Sequence, residues 1–188
     1  MKIILITLSL ILNLNSYAKE CYQTAAKNFK VEWTAFKTPL KAGVKGSFRD
    51  LGLKKETYQG KNLKNFLEGI EFSIDTASTT TKNTARDATI VKHFFQKMNG
   101  GLNINGKIES YNKKVVTVKL TFNEVTQSIP LKVSTKKNSI IARGTIDLLD
   151  FSLNKALASI NKACYELHEG KTWNDIDLKL KIKLDKKC

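Results

Sequence analysis

The sequence predicts an all-β protein: an antiparallel sheet of about eight strands, closed around an apolar interior, with one short and one longer inserted helix. Three observations predict it. First, Ile176 to Leu184 carries an apolar residue at every even position and a charged one at every odd position. A strand sends successive side chains to opposite faces, so this segment has one oily face and one charged face. Second, the pattern recurs. Val116, Val118, Leu120 and Phe122 alternate with Thr117, Lys119 and Thr121, while Ile129, Leu131 and Val133 alternate with Pro130, Lys132 and Ser134. Such alternation belongs to sheets with one buried and one solvated face. Third, no repeat, low-complexity tract or Pro/Gly/Ser-rich linker divides residues 19–188, which read as a single domain.

Residues 1–18 read as a cleaved secretory signal. Lys2 is a minimal positive start, Ile3 to Leu12 is a short apolar run, and Ser16-Tyr17-Ala18 supplies small residues at the cleavage site. The run is too short to span a bilayer, and no later segment is apolar enough to do so. The expected location is therefore periplasmic or secreted, with no transmembrane segment.

Val31 to Phe36 reads as the first strand. Gly43 to Phe48 begins a second that continues irregularly towards Tyr58, and Asn62 to Leu67 is a short helical turn. Ile70 to Thr76 is the third strand. Thr84-Ala85-Arg86-Asp87 has the capping-box pattern and opens a helix through Phe95, stopped by Asn99-Gly100-Gly101. Leu102–Tyr111 and Lys114–Val125 pair about Asn112-Lys113, and Thr126–Thr135 and Ser139–Leu148 pair about Lys136-Lys137-Asn138. Ser152 caps a longer helix with Leu153, Ala156, Leu157, Ile160, Cys164 and Leu167 on one face and Gly170 as its stop. Asn174 to Asp185 is the closing strand.

Two strands exceed the ordinary length of about 5–6 residues. Ten residues at about 3.3 Å each extend roughly 33 Å. An eight-stranded barrel of such strands is either filled by its own phenylalanines or left with room for one slender ligand.

The formal net charge is +15, and +14 once Lys2 leaves with the signal. Nucleic acid is not the expected partner: arginine, the residue suited to bidentate phosphate and base contacts, occurs only at Arg49, Arg86 and Arg143. The lysines are scattered along polar strand faces, a solvated surface with weak attraction for anionic material. Three cysteines follow the signal, and export permits disulfides. A Cys21–Cys164 bridge is expected, with Cys21–Cys188 and a free Cys164 as the alternative. Cys164 and His168 are spaced for one helix face, but no further Cys or His completes a metal site. No nucleophile elbow, phosphate-cradling loop or zinc-protease motif is present, so neither an enzyme nor a cofactor is expected.

Ile70-Glu71-Phe72-Ser73-Ile74-Asp75-Thr76, then Arg86-Asp87, then His93-Phe94-Phe95 resemble the strand, helix opening and Phe-Phe end of the YceI-like family. Val118 to Gln127 followed by Ile129-Pro130-Leu131-Lys132-Val133 resembles its central hairpin, Asp150-Phe151-Ser152-Leu153 its late Asp-Phe element, and Gly43, Gly46 and Phe48 its early Gly-x-Phe. The resemblance implies an elongated, lipocalin-like eight-stranded antiparallel barrel whose hydrophobic tunnel holds an isoprenoid, quinone-like or fatty long-chain amphiphile, without catalysis. It also carries the expectation of a possible homodimer. On this reading the tunnel wall comprises Trp33, Phe48, Phe72, Ile74, Ile90, Phe94, Val116, Val118, Leu120, Phe122, Leu131 and Ile146. Arg86 and Asp87 stand either as head-group ligands or as supports of a helix start. The chain departs from the family in its opening strand, which reads Val31 to Lys37 in place of Asp-x-x-His-Ser. It departs again at Ala88-Thr89 after Arg86-Asp87, and at Leu149 in place of arginine. These changes, with Trp33 and the His168–Trp173 segment, mark a divergent branch.

Overall fold

The structure is a computed structural model describing residues 22–187. The chain begins with β1 (Tyr22–Ala25), β2 (Phe29–Lys37), β3 (Ala42–Phe48), β4 (Leu51–Leu53) and β5 (Thr57–Gly60). Helix α1 (Leu63–Leu67), β6 (Glu71–Asp75), β7 (Thr79–Thr80) and α2 (Thr84–His93) follow. Then come β8 (Asn103–Asn112), β9 (Val115–Phe122), β10 (Val125–Lys136) and β11 (Ser139–Asp147). The chain finishes with α3 (Asn154–Ala163), β12 (Thr172–Lys183) and β13 (Lys186–Lys187).

The main sheet runs in the order β6-β8-β9-β10-β11-β12-β2-β3, every neighbouring pair antiparallel. Two bent strands close it. β3 passes into β4 across Arg49-Asp50, and β6 passes into β7 through the turn Thr76–Ser78. Phe48 pairs with Thr79 and Leu51 with Ile74, so residues 42–53 lie antiparallel against residues 71–80. At the bend, Arg49 N–H donates to Ser78 O (3.1 Å) and Asp50 N–H to Ser78 Oγ (3.0 Å). The result is a ring of eight staves, the predicted barrel, whose closure removes the exposed sheet edges that invite aggregation.

The inward residues fall into two buried clusters. The lower contains Tyr22, Tyr58, Phe66, Leu67, Ile108 and Ile182. It is covered by α1 and by a small sheet ordered β13-β1-β5. Thr24 Oγ1 donates to Lys183 O, and Ala25 N–H donates to Asp185 Oδ2 (2.8 Å), tying this cap to the end of β12. The upper cluster contains Phe94, Phe95, Phe122, Phe151, Leu153 and Ile160, where α2 and α3 roof the barrel.

Several expected boundaries move. The cap of α2 is Asn83, whose side chain accepts from Arg86 N–H, and not Thr84; helix α2 ends at His93. The turn joining β9 to β10 is Asn123-Glu124, with φ of 54° and 65°. Two left-handed residues make the mirror-image turn that matches strand twist, and asparagine tolerates it better than most. Ser152 is itself left-handed, and Leu153 stands at the cap of α3. Leu167 lies beyond the helix end and is exposed. The cap strands β1 and β13 had no counterpart in the sequence reading, and the irregular extension towards Tyr58 is a separate strand, β5, in the small sheet.

Part of the lysine surface gathers at one end. Lys27, Lys54, Lys55, Lys61, Lys64, Lys113, Lys114, Lys136 and Lys137 are all exposed around the lower, closed end, against Glu56, Glu68, Asp185 and Glu71, which pairs with Lys54. The reason is topological: the pairs Lys54-Lys55, Lys113-Lys114 and Lys136-Lys137 stand at connections between strands, and those connections converge at one end of the barrel. The expected signal segment, Cys21 and Cys188 lie outside the described residues. Cys164 is a free, half-buried thiol. Among the described residues no helix is long and apolar enough to cross a membrane, and no group of His, Cys, Asp and Glu could hold a metal ion.

Candidate functional site: an apolar lumen

Between the two clusters the barrel axis is open, leaving an apolar cavity of about 220 Å³. Its wall follows β2 from Phe29 to Lys37. Nine residues of strand span roughly 26 Å at about 3.3 Å per step, so this is a channel and not a bowl. Eleven of the twelve residues expected at the wall, all but Val116, line it. Val116, 1% exposed, packs in the lower cluster. It sits next to the turn at the closed end, below the floor of the channel. Alternation identifies which face a strand residue takes but not how far along the axis the void extends.

The reading also missed wall residues. Val31 and Ala35 of β2 and Ile176, Leu178 and Leu180 of β12 line the channel. The β12 residues were legible, since they belong to the cleanest alternating segment in the chain. Leu157, Ile160 and Cys164 reach the channel from α3, on the helix face the sequence had marked as apolar.

Why is the axis not plugged by its own aromatics? Glycines on neighbouring strands give two large rings a place to lie flat. Trp33 pairs with Gly46, and Phe72 pairs with Gly106. A Cβ at Gly46 would stand 2.5 Å from Trp33 Cε2, and one at Gly106 would stand 2.7 Å from Phe72 Cε2. Both are closer than real contacts permit, so any side chain there drives the ring away from the wall. Gly46→Ala is accordingly expected to destabilise the fold by about 1–3 kcal/mol, the usual cost of overpacking. Denaturant unfolding measures it, and pairing Gly46→Ala with Trp33→Leu should recover part of the loss. An unaltered midpoint in the single variant would show the ring has room elsewhere.

Polar groups are confined to one end. Lys37, Arg86, Thr89, Cys164, His168 and Thr172 line the channel beside α2, α3 and the start of β12. The β12–β2 register shifts there between Thr172 and Ile176. Trp173 sits in that bulge, its indole N–H donating to Thr38 O (2.8 Å), with Lys41 and Lys171 over its ring. His168 Nδ1 meets Thr172 Oγ1 at 2.7 Å, and Thr172 Oγ1 donates to Asn161 Oδ1 (2.9 Å). The threonine hydrogen is thus committed to Asn161, and Nδ1 is left as the donor. Burial first, and the nearby Lys37 charge second, hold His168 below the ordinary imidazole range, so the ring is neutral at pH 7. Burial raises the Cys164 thiol, with Lys37 opposing it, which leaves a protonated, weakly nucleophilic sulfur.

Arg86 and Asp87 are both engaged by Thr81. Asp87 Oδ1 accepts from Thr81 N–H (2.7 Å) and Thr81 Oγ1 (2.6 Å). Arg86 donates to Thr81 Oγ1 (2.8 Å) and Thr81 O (3.1 Å). The pair fastens the start of α2 to the strand before it. The large apolar side chains exposed among the described residues, Leu40, Leu149, Tyr165 and Leu167, all lie at this same end.

A family model described as a YceI-like domain matches residues 22–184. A polyisoprenoid-binding domain from Saccharophagus degradans, implicated in plant cell wall breakdown, superposes with a TM-score of 0.57 at 12% identity. The match covers 87% of this chain and 98% of that one. Burkholderia cenocepacia BcnA gives 0.52 at 14% identity over 82% and 94% of the two chains. A Campylobacter jejuni YceI protein gives 0.53 at 21% identity over 77% and 86%. No curated protein sequence matches the chain.

Proposed function

The chain belongs to the YceI-like domain family, and from that premise we propose that it is an exported carrier or sequestering protein for a long-chain amphiphile. The cargo class is isoprenoid, quinone-like or fatty. The observation that carries this reading is the open, almost wholly apolar channel kept clear by rings lying on glycines. Each CH2 withdrawn from water into such a channel contributes about 0.8 kcal/mol, so long chains accumulate affinity that a short solute cannot. The polar groups at the mouth and the apolar side chains around it fit an amphiphile that enters tail first. The wall offers cohesion to a chain, not the paired acids and bases of a catalyst. The similarity to a domain described as polyisoprenoid-binding supports the same cargo class. The signal-like N-terminus supports periplasmic or secreted residence.

Mass spectrometry of an organic extract from natively purified protein tests this. One amphiphile per chain is the expected result. Repeatedly empty preparations, with added long-chain probes failing to bind, would overturn it.

One observation favours a second reading. The exposed lysines at the closed end outnumber the acids among them, of which Glu71 pairs with Lys54, and give a basic surface suited to an anionic envelope component. An empty protein that binds anionic surfaces in a salt-sensitive way would move the function to that end.

A further inference from the structure

The large apolar side chains left in water among the described residues share one rim. Leu40 is 91% exposed, Leu167 70%, Tyr165 58% and Leu149 45%. They stand on three segments bound to one another beside the opening of the channel. Lys37 Nζ donates to Leu167 O (3.1 Å), and Lys41 pairs with Asp175 (2.7 Å). Asn174 Nδ2 donates to Asp147 Oδ2 (2.6 Å), which ties in the segment that carries Leu149. Lys37, His168, Thr172 and Trp173 of the same segments line the channel itself.

Leu40 is held out at a cost to the backbone. The turn Thr38-Pro39-Leu40-Lys41 joins β2 to β3, and both its ends are left-handed, with φ of 61° at Thr38 and 58° at Lys41. A β-branched residue is an outlier in that region, and such strain persists only where the surroundings over-determine it. Three hydrogen bonds do so. Thr38 N–H donates to Lys171 O (3.0 Å), while Thr38 O accepts from Lys41 N–H (3.0 Å) and from Trp173 Nε1–H (2.8 Å). Pro39 and Leu40 are left facing solvent. Beside them the half-buried Trp173 ring has Lys41 Nζ at 4.9 Å and Lys171 Nζ at 4.6 Å. An indole flanked by lysine stems, next to exposed leucines, is a set of side chains suited to a membrane–water interface.

We propose that this rim seats the open end of the barrel on a lipid bilayer, with the tips of Leu40, Leu149, Tyr165 and Leu167 in the head-group layer and the channel mouth facing the membrane. The inference rests on the carrier reading, because a bilayer is where a long-chain amphiphile resides. Geometry favours lipid over a second protein. A stable protein interface buries about 1,000 Å² or more with good complementarity, whereas these tips stand apart around an opening and offer no continuous core. A fluid surface closes around separate projections. Nor is the attraction electrostatic: residues 37–41 and 164–175 set Lys37, Lys41 and Lys171 against Glu166, Glu169 and Asp175. Charge therefore gives these segments no preference for anionic lipid. The same acids keep penetration shallow, since a carboxylate leaves water only at high cost.

The test is flotation of the full-length mature protein with vesicles of pure phosphatidylcholine, a zwitterionic lipid. The protein is expected to float with them equally well at about 0.15 M and about 1 M salt, the second of which screens surface charge. The double variant Leu40→Asp/Leu167→Asp should lower the partition coefficient by at least about tenfold, or about 1.4 kcal/mol. Its Tm should stay unchanged, because both side chains are exposed. Leu40→Phe/Leu167→Phe should keep the binding. Flotation that requires phosphatidylglycerol and vanishes in high salt would assign membrane contact to the basic closed end and overturn the proposal. So would a wild-type protein that stays in the buffer, or an Asp double variant that floats undiminished. A wild-type dimer in light scattering that the double variant dissolves would place a second copy on the rim and overturn it as well. Organic extracts keep the two readings apart. Protein with a full complement of amphiphile that fails to float removes the docking and leaves the carrier reading standing; empty protein that floats does the reverse.

Discussion

Leu120→Lys is expected to empty the channel. Leu120 lies on β9 between Gly106 and Gln127 of its neighbouring strands and is 7% exposed, facing the void. The polar lining groups all sit at the mouth, so an ammonium at this depth is taken out of water with no carboxylate partner among the channel's lining residues. Desolvation lowers a fully buried lysine by up to about 3–5 pKa units, and each unit corresponds to about 1.4 kcal/mol. The variant therefore either holds a neutral amine in the lumen or draws water in after the charge. Both outcomes spoil the site for a hydrocarbon chain, by at least about 100-fold in affinity, or about 2.7 kcal/mol. Leu120→Met is the control, since volume-conserving swaps usually cost under about 1.5 kcal/mol. The measurement is amphiphile per chain in organic extracts, with circular dichroism to establish folding. A folded lysine variant that still extracts with a full complement of cargo would sink the lumen as the binding site.

Phe151→Ala should give the largest loss of stability. Phe151 is 0% exposed beneath the α3 roof, its ring centroid 5.6 Å from that of Phe122. Its carbonyl accepts from Asn123 Nδ2 (2.9 Å), which links the roof to the β9–β10 turn. Truncating a close-packed phenylalanine costs about 3–5 kcal/mol. For a chain of this size that is a fall in Tm of roughly 6–20 °C. Phe72→Ala is the informative companion. The Phe72 ring already faces empty space on one side, so its removal forfeits fewer contacts and should cost less in delipidated protein. Calorimetry on both variants distinguishes an open axis from a filled one; equal costs would argue that the lumen is packed solid.

How much of this was legible beforehand depends on the range of the interaction. Alternation in β9, β10 and β12 is a local property, read directly from residue order, and it placed Val118, Leu120, Phe122 and Leu131 on the inner face. The same logic failed for Val116 because depth along the axis is set by where the floor stands. There Val116 packs in the lower cluster that includes Phe66 and Leu67, contributed by a helix about fifty residues away. The Asn123-Glu124 turn was missed because it lacks the Asn-Gly signal. The strands β1 and β5 pair only four residues each, too few to leave a pattern.

By itself the sequence determined the fold class, the antiparallel pairing of its two hairpins and the inner faces of the long strands. A two-residue periodicity dictates side-chain direction wherever the chain is extended. Tertiary structure alone decided that the ring closes through two bent strands and that the lysine turns gather at one end. It alone decided, too, that Gly46 and Gly106 receive the rings of Trp33 and Phe72. Those features depend on which strand lies beside which, and on distances between residues remote in the chain. An open channel is a property of that arrangement.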